Sequence, residues 1–249
     1  MIKMDFKYLQ NLSYSDLKKI GEEIGITIPK KKDELISNIL ICFKEYEDYK
    51  KEKLDKYKRL KQIGNKGKEG VTYLVETNGG KKYAMKTFKK TKSSDKLRLE
   101  ADLQDKASNF GICPKIIDID TVSKYIVMEK MDKHLLDVMK EQNGDLTEDQ
   151  QKQIINIYTK LDIACVFHGD SNILNYMFKK GKLYIIDFGM GKHIDNKLVK
   201  RLGTDKPNLT LMTLGFILKL KELECPESSY SYLMQFVSKD DKIKYGLAK

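Results

Sequence analysis

The apolar positions fall into two kinds of pattern separated by a charged stretch. Near the N-terminus Leu12, Leu17, Ile20 and Ile24 recur at helical intervals, and Leu35, Ile36, Ile39 and Leu40 repeat that pattern after a break. Ser13 stands where an N-cap belongs and Gly25 where a helix stops. The prediction is two short helices joined by an extended connector, Ile26 to Pro29, with the second starting near Lys32 or Asp33. From Lys44 to Lys61 charges of both signs dominate, which predicts an exposed helix or linker. Beyond it the period changes. Val71, Tyr73 and Val75 alternate as a strand should, and the stretch from Gly111 to Asp132 predicts two strands with Ile126, Val127 and Met128 buried. Helical spacing then returns around Leu97 to Gln104, at Leu135 to Met139, and in a longer helix capped by Thr147 that buries Ile154, Ile157, Tyr158 and Leu161. Leu209 to Leu220 predicts a largely buried helix, and residues 224–249 a short closing helix with a polar tail.

Composition narrows the class. With 249 residues, 41% hydrophobic and 33% charged, the chain is polar but can bury a full core, enough for one sizeable domain and a small one. The formal charge of +11 favours anionic partners or a lysine-rich solvated surface. Cys42, Cys113, Cys165 and Cys225 lack metal-ligand spacing and suit reduced core residues of an intracellular protein, cytoplasmic or nuclear, or within a virion were the source viral. Neither a signal peptide nor a membrane-spanning apolar run is evident, so no membrane partner is expected.

The chemistry concentrates in HGDSNILNYMFKKGKLYIIDFG, His168 to Gly189. Asp170 precedes Asn175 by five positions, and the apolar run Leu183 to Ile186 delivers Asp187, Phe188 and Gly189. This order resembles the catalytic and metal-binding motifs of protein kinases. The resemblance implies that Asp170 orients the acceptor hydroxyl while Asp187 and Asn175 hold Mg2+ on the phosphates of ATP. Upstream, Gly64, Gly67 and Gly70 punctuate a turn whose backbone N–H groups can approach phosphates. Kinases have one residue between the first two glycines. Asn65 and Lys66 intervene here, whereas Gly67 and Gly70 keep the later spacing. Ala84 and Lys86 resemble the strand that carries the phosphate-anchoring lysine, and Glu100 is its expected partner, since Asp102 falls about 200° away around the helix. By the same resemblance Thr72 and Ala84 line the nucleotide site, Glu129 to Met131 form the hinge that meets adenine, and Met177 forms an apolar floor.

The segment from Glu100 through Gly111, Pro114 and Asp120 resembles the small atypical kinases, the RIO family and the KEOPS-associated kinase. The fold implied is α+β: a bilobal kinase-like domain at residues 60–249, with a nucleotide lobe (60–131) and a reduced catalytic lobe (132–249), after a helical module (1–45) and a charged helical linker (46–59). Within that module Leu17-Lys18, Gly25-Ile26, Lys31-Lys32, Glu34-Leu35 and Ile39 resemble the helix-extended-helix SAP motif. This implies DNA or RNA as a partner of residues 1–45, with Lys30, Lys31 and Lys32 on backbone phosphates. Lys30 stands where such motifs often have Gly. A helical hairpin docking on protein is the other reading.

Four departures from the kinase pattern bear on activity. Asn172 takes the place of a lysine, Gly169 that of the Arg that receives an activation-loop phosphate, and Thr210 that of an anchoring Asp. The segment Met190 to Pro207 is short and has no APE motif. The expected activity is that of an atypical serine/threonine protein kinase using ATP and Mg2+, with a protein substrate. A small-molecule kinase, which the HGD form also fits, and a nucleotide-binding pseudokinase scaffold that binds DNA or RNA remain open.

Overall fold

The computed structural model describes residues 6–64, 67 and 69–247, so Asn65 and Lys66 lie outside the described residues. The chain divides into two compact units, residues 1–58 with 76–80, and residues 59–75 with 81–249.

The first unit contains α1 (Phe6–Gln10), α2 (Tyr14–Glu23) and α3 (Lys32–Asp55). Ser13 Oγ caps α2 by accepting from Asp16 N at 3.1 Å. The helix ends at Gly25, φ +74°, where Ile26 N donates back to Gly21 O at 3.0 Å, a turn that needs the left-handed conformation glycine supplies. Leu9, Leu17, Leu35, Ile36 and Ile39 form a small core of their own. Leu9 comes from α1, five residues too few for periodicity to reveal. The mixed-charge segment is helical and continues the second helix without a break to Asp55.

The second unit begins on a sheet ordered β1 (Tyr57–Gln62), β2 (Gly70–Thr77), β3 (Lys82–Phe88), β5 (Tyr125–Glu129) and β4 (Ile116–Asp120). A Cβ on Gly70 would lie 2.0 Å from Thr87 O, so only glycine lets the start of β2 come this close to β3. In the antiparallel β3–β5 register Ala84 faces Met128 and Lys86 faces Ile126. Helix α4 (Ser94–Ser108), capped by Ser93, packs Leu97 and Ala101 on Phe88 and Ile126. Ile126 and Val127 are buried as expected, but Met128 is only half-buried because its side chain borders a cavity.

The remainder is mainly helical. It comprises β6 (Lys133–His134), α5 (Leu135–Glu141), α6 (Glu148–Ile163), β7 (Val166–Phe167), β8 (Tyr176–Lys179), β9 (Lys182–Ile185), β10 (Lys192–His193), α7 (Asn196–Leu202), α8 (Thr213–Glu222) and α9 (Lys239–Lys244). Thr147 and Gln150 form a reciprocal capping box at α6, which buries Ile154, Ile157, Tyr158 and Leu161. The fold is α+β and kinase-like, with the strand-rich part preceding the helical part. Among the described residues no helix is long and apolar enough to cross a membrane.

Two further expectations are corrected. The stretch expected as one helix from Leu209 opens with a π-turn, Asn208–Met212, before α8 begins. Cys165 is exposed rather than part of the core, because it sits at φ +55° in the turn after α6, although all four cysteines are free. Asn208, two residues before the Thr210 that departs from the kinase pattern, makes the buried contacts here. Thr210 is exposed and bonds its own turn through Lys206 O, whereas Asn208 is fully buried and its Oδ1 accepts from His168 N at 3.0 Å. Asn208 Nδ2 donates to Val166 O at 2.8 Å and to Asp162 Oδ1 at 2.6 Å. Asp162 also accepts from Asn208 N and Leu209 N, at 3.0 and 2.9 Å. Burial pushes the Asp162 carboxyl above its ordinary pKa, and these donors oppose the shift only in part.

Asn208→Ala strands the His168 amide and the Val166 carbonyl away from water and is expected to lower unfolding free energy by about 3 kcal/mol. Urea denaturation checks it, with Thr210→Ala, which touches neither group, as the milder comparison.

Candidate active site

Within the second unit the motif residues converge on two adjoining cavities. One is walled by Ile63, Gly64, Thr72, Ala84, Met128, Met131 and Met177, with Lys86, Glu100, Glu129 and Asp187 also on its border. The other is bordered by Gly67, Glu69, Gly70, Thr72, Lys86, Asp170, Asp187 and Gly189. Thr72, Lys86 and Asp187 belong to both. Asn175 lies just behind, buried, with its Nδ2 3.4 Å from Asp170 O. Lys30, Lys31 and Lys32 belong to the first unit. Lys30 and Lys31 are exposed there, whereas Lys32 is half-buried and donates to Gln10 O at 2.9 Å.

Lys86 sits between two carboxylates. Its Nζ is 2.6 Å from Glu100 Oε1 and 2.7 Å from Asp187 Oδ1. Burial alone would lower the Lys86 pKa, but the two acids more than compensate and raise it. For Asp187 burial would raise the carboxyl, and the Lys86 charge outweighs that and holds it below the usual range. Asp102, the acid set aside by helical phase, instead pairs with Lys106 at 3.0 Å and lies 3.4 Å from His193.

The polypeptide around the acids is tightly specified. Asp187 adopts φ +66°, a left-handed conformation that Asp tolerates, and its Oδ1 accepts from Gly189 N at 3.3 Å. Asp170 Oδ1 accepts from Asn172 N at 3.0 Å, while Asn172 Oδ1 caps the next turn through Leu174 N at 3.0 Å. The amide that replaces the usual lysine is therefore spent on local structure. His168 is wholly buried, its Nδ1 3.1 Å from Asp170 O and its Nε2 3.0 Å from Ile186 O, so one ring spans both acid-bearing turns. Burial pushes His168 below its ordinary pKa and keeps the ring neutral near pH 7. Phe188 packs edge-on against it, centroids 4.9 Å apart. Gly169 has φ +76°, and a Cβ there would lie 3.2 Å from Met190 O, so an arginine at this position would be both strained and crowded.

These residues suit ATP and magnesium. The apolar walls of the first cavity fit a flat purine, and Glu129 on its border commits its side chain to Lys179 at 3.2 Å. Asp187 and the Asn175 amide supply hard oxygen donors of the kind magnesium takes when phosphates and water complete its shell.

No protein-family model matches the chain. Among curated proteins it is 28% identical over 133 residues to a probable serine/threonine-protein kinase BUD32 homolog of Archaeoglobus fulgidus, a match covering 53% of this chain and 63% of that protein. It is 28% identical over 131 residues to the KEOPS complex subunit Bud32 of Pyrococcus abyssi, covering 50% of this chain and 58% of the relative. A probable bifunctional tRNA threonylcarbamoyladenosine biosynthesis protein of Methanobrevibacter smithii is 32% identical over 128 residues, 51% of this chain and 22% of that protein. The chain resembles the Bud32-type atypical kinases. It spans less than two thirds of the length of each of these relatives.

Within this Bud32-like arrangement several contributors escaped the motif reading. Asn208 and Asp162 hold the His168 turn from elements that lie 40 and 6 positions away in the chain, as the His168–Asn208 and Asp162–Asn208 bonds across 40 and 46 positions record. Glu69 and Lys92 lie beside Glu100 and Gly189, with Lys92 Nζ 2.6 Å from Glu69 Oε2. Neither pairing has a fixed sequence spacing, so only the folded chain reveals them.

Lys86→Met is expected to move the Asp187 carboxyl titration upward, because burial then acts without the opposing charge. Side-chain carboxyl NMR across the acid range checks the direction, with Lys86→Arg expected to keep the value low.

Proposed function

We propose that the chain is an ATP- and magnesium-dependent phosphotransferase of Bud32 type that acts on serine or threonine of a protein. The observation that carries this reading is the Lys86 ammonium set between Glu100 and Asp187 beside the Asp170 carboxylate. In use, Lys86 orients the phosphates while Glu100 holds it in place, and Asp187 with Asn175 holds magnesium, which supplies charge neutralisation when bound. Asp170, its Oδ1 fixed by Asn172 N, keeps Oδ2 to accept a proton from the acceptor hydroxyl. The glycine turn and Met190 border the reacting end. The names of the relatives support a setting in a protein assembly concerned with tRNA modification, with tRNA the nucleic acid that Lys30, Lys31 and Lys32 would meet.

A specific observation favours a second reading, ATP hydrolysis in place of protein phosphorylation. Asn172 caps its own turn and brings no positive charge to the transferring group, so a water could serve as acceptor where a peptide hydroxyl is not held.

The experiment follows label from γ-labelled Mg-ATP into the protein, a mixed lysate and free phosphate, for wild type and Asp170→Asn. Acid-precipitable label lost in the variant supports the protein kinase, free phosphate lost in the variant supports the ATPase, and label in soluble organic product would support a small-molecule kinase. The expected loss in the variant is about a hundredfold or more. Transfer equal in both proteins would sink the role given to Asp170. Lys30→Gln with Lys31→Gln is expected to weaken binding of unmodified tRNA by severalfold while leaving Mg-ATP affinity untouched. Gel-shift titration checks it, and unchanged tRNA affinity would leave the first unit as a protein-docking hairpin.

A further inference from the structure

One lysine outside every motif is buried against the site. Lys92 lies in the turn between β3 and α4 with its side chain only 7% exposed, and a cation so far from water has to be paired. Its Nζ is 2.6 Å from Glu69 Oε2, in the glycine turn, and also bonds Glu100 Oε2 on α4. Glu100 consequently carries a lysine on each oxygen, Lys86 on Oε1 and Lys92 on Oε2. The Phe88 ring lies near both ammonium groups, its centroid 5.1 Å from Lys86 Nζ and 4.5 Å from Lys92 Nζ.

The turn that bears Lys92 is itself fixed. Lys92 N donates to Lys89 O at 3.0 Å, and Lys124 Nζ donates to Lys90 O at 2.7 Å and to Lys92 O. Glu69 is held at two points, its carbonyl accepting from Lys89 N at 2.9 Å and its carboxylate meeting Lys92. That same Oε2 lies 2.7 Å from where a Cβ on Gly189 would sit, so Glu69 stands directly over the backbone that follows Asp187.

We propose that Lys92 is a positioning residue for nucleotide phosphates, clamping the glycine turn through Glu69 and holding Glu100 through its second oxygen. Two physical demands make the arrangement useful. Lys86 must divide its charge between Glu100 and an arriving phosphate, and a Glu100 with a second lysine stays in place while it does so. Glu69 adds a carboxylate to a cavity that already contains Asp170 and Asp187. Left bare it would repel a triphosphate, and Lys92 neutralises it. The inference rests on the Mg-ATP reading of the site.

The test uses the full chain as Lys92→Met, Lys92→Arg, Glu69→Gln and the Lys92→Met/Glu69→Gln double variant. The readouts are Mg-ATP affinity by displacement of a fluorescent nucleotide, and amide hydrogen exchange at Gly67 and Gly70 without nucleotide. Lys92→Met is expected to weaken Mg-ATP about tenfold, and Lys92→Arg to restore most of the affinity. The double variant should bind better than Lys92→Met alone, because the uncompensated carboxylate is gone. Exchange at the glycine turn should rise in both Lys92→Met and Glu69→Gln. A purely structural lysine would lower the melting temperature with affinity and exchange unchanged, and that result overturns the proposal, as does a double variant weaker than Lys92→Met. Should Lys92→Met fail to fold, unchanged exchange in Glu69→Gln overturns it alone. A wild type that binds no Mg-ATP defeats the proposed function, and the exchange measurement still judges the clamp.

Discussion

The site depends on one buried ammonium group and the two carboxylates that share it. An unpaired lysine as enclosed as Lys86 would lose its proton or unfold its surroundings. Glu100 on α4 and Asp187 after β9 remove that cost together, and in doing so they bind β3, the helix and the acidic turn to one another. Burial disfavours the charged forms of Lys86 and Asp187, and their pairing reverses both shifts. The geometry is thus self-supporting: each member keeps its charge because the others keep theirs.

A second, buried network fixes the other half. The His168 ring lies between Asp170 O and Ile186 O and, when neutral, donates to one of them, while Asn208 holds the His168 main chain from the π-turn that leads into α8. Asp162 in turn accepts two bonds from Asn208 and one from Leu209 N. The outcome is a His168–Asp170 segment suspended from α6 and α8, the two helices that contribute Ile154, Ile157, Leu161, Phe216 and Ile217 to the main core. Precision at the surface is inherited from packing underneath it.

Much of this was readable in the chain before folding, for a definite reason. Lys86 and Glu100 sit on a strand and a helix of distinct period, and Asp170 and Asp187 belong to short motifs of fixed spacing, so local spacing carried the information. The capping residues Ser13 and Thr147 were equally legible because a cap acts over three residues. What stayed hidden was non-local. Asn208 is recognised only by partners far along the chain, among them the His168 amide 40 positions away. Nothing in the sequence sets Lys92 apart from the chain's other lysines, and only its burial does so. Met128 was assigned to the core because alternation along β5 cannot tell a packed interior from the wall of a cavity.

The contrast between the two halves has an outcome for the solution in which the protein works. The Asp187 end of the charged triad is about half exposed, with 48% of its side chain open to water, and mobile ions reach it. The His168 amide and the Asn208 carboxamide are uncharged and shut away, so dissolved ions have nothing there to shield. Raising ionic strength therefore loosens the grip on Asp187 while the scaffold of Asp170 stands unchanged, and the two acids of one site respond differently to the same bath of salt.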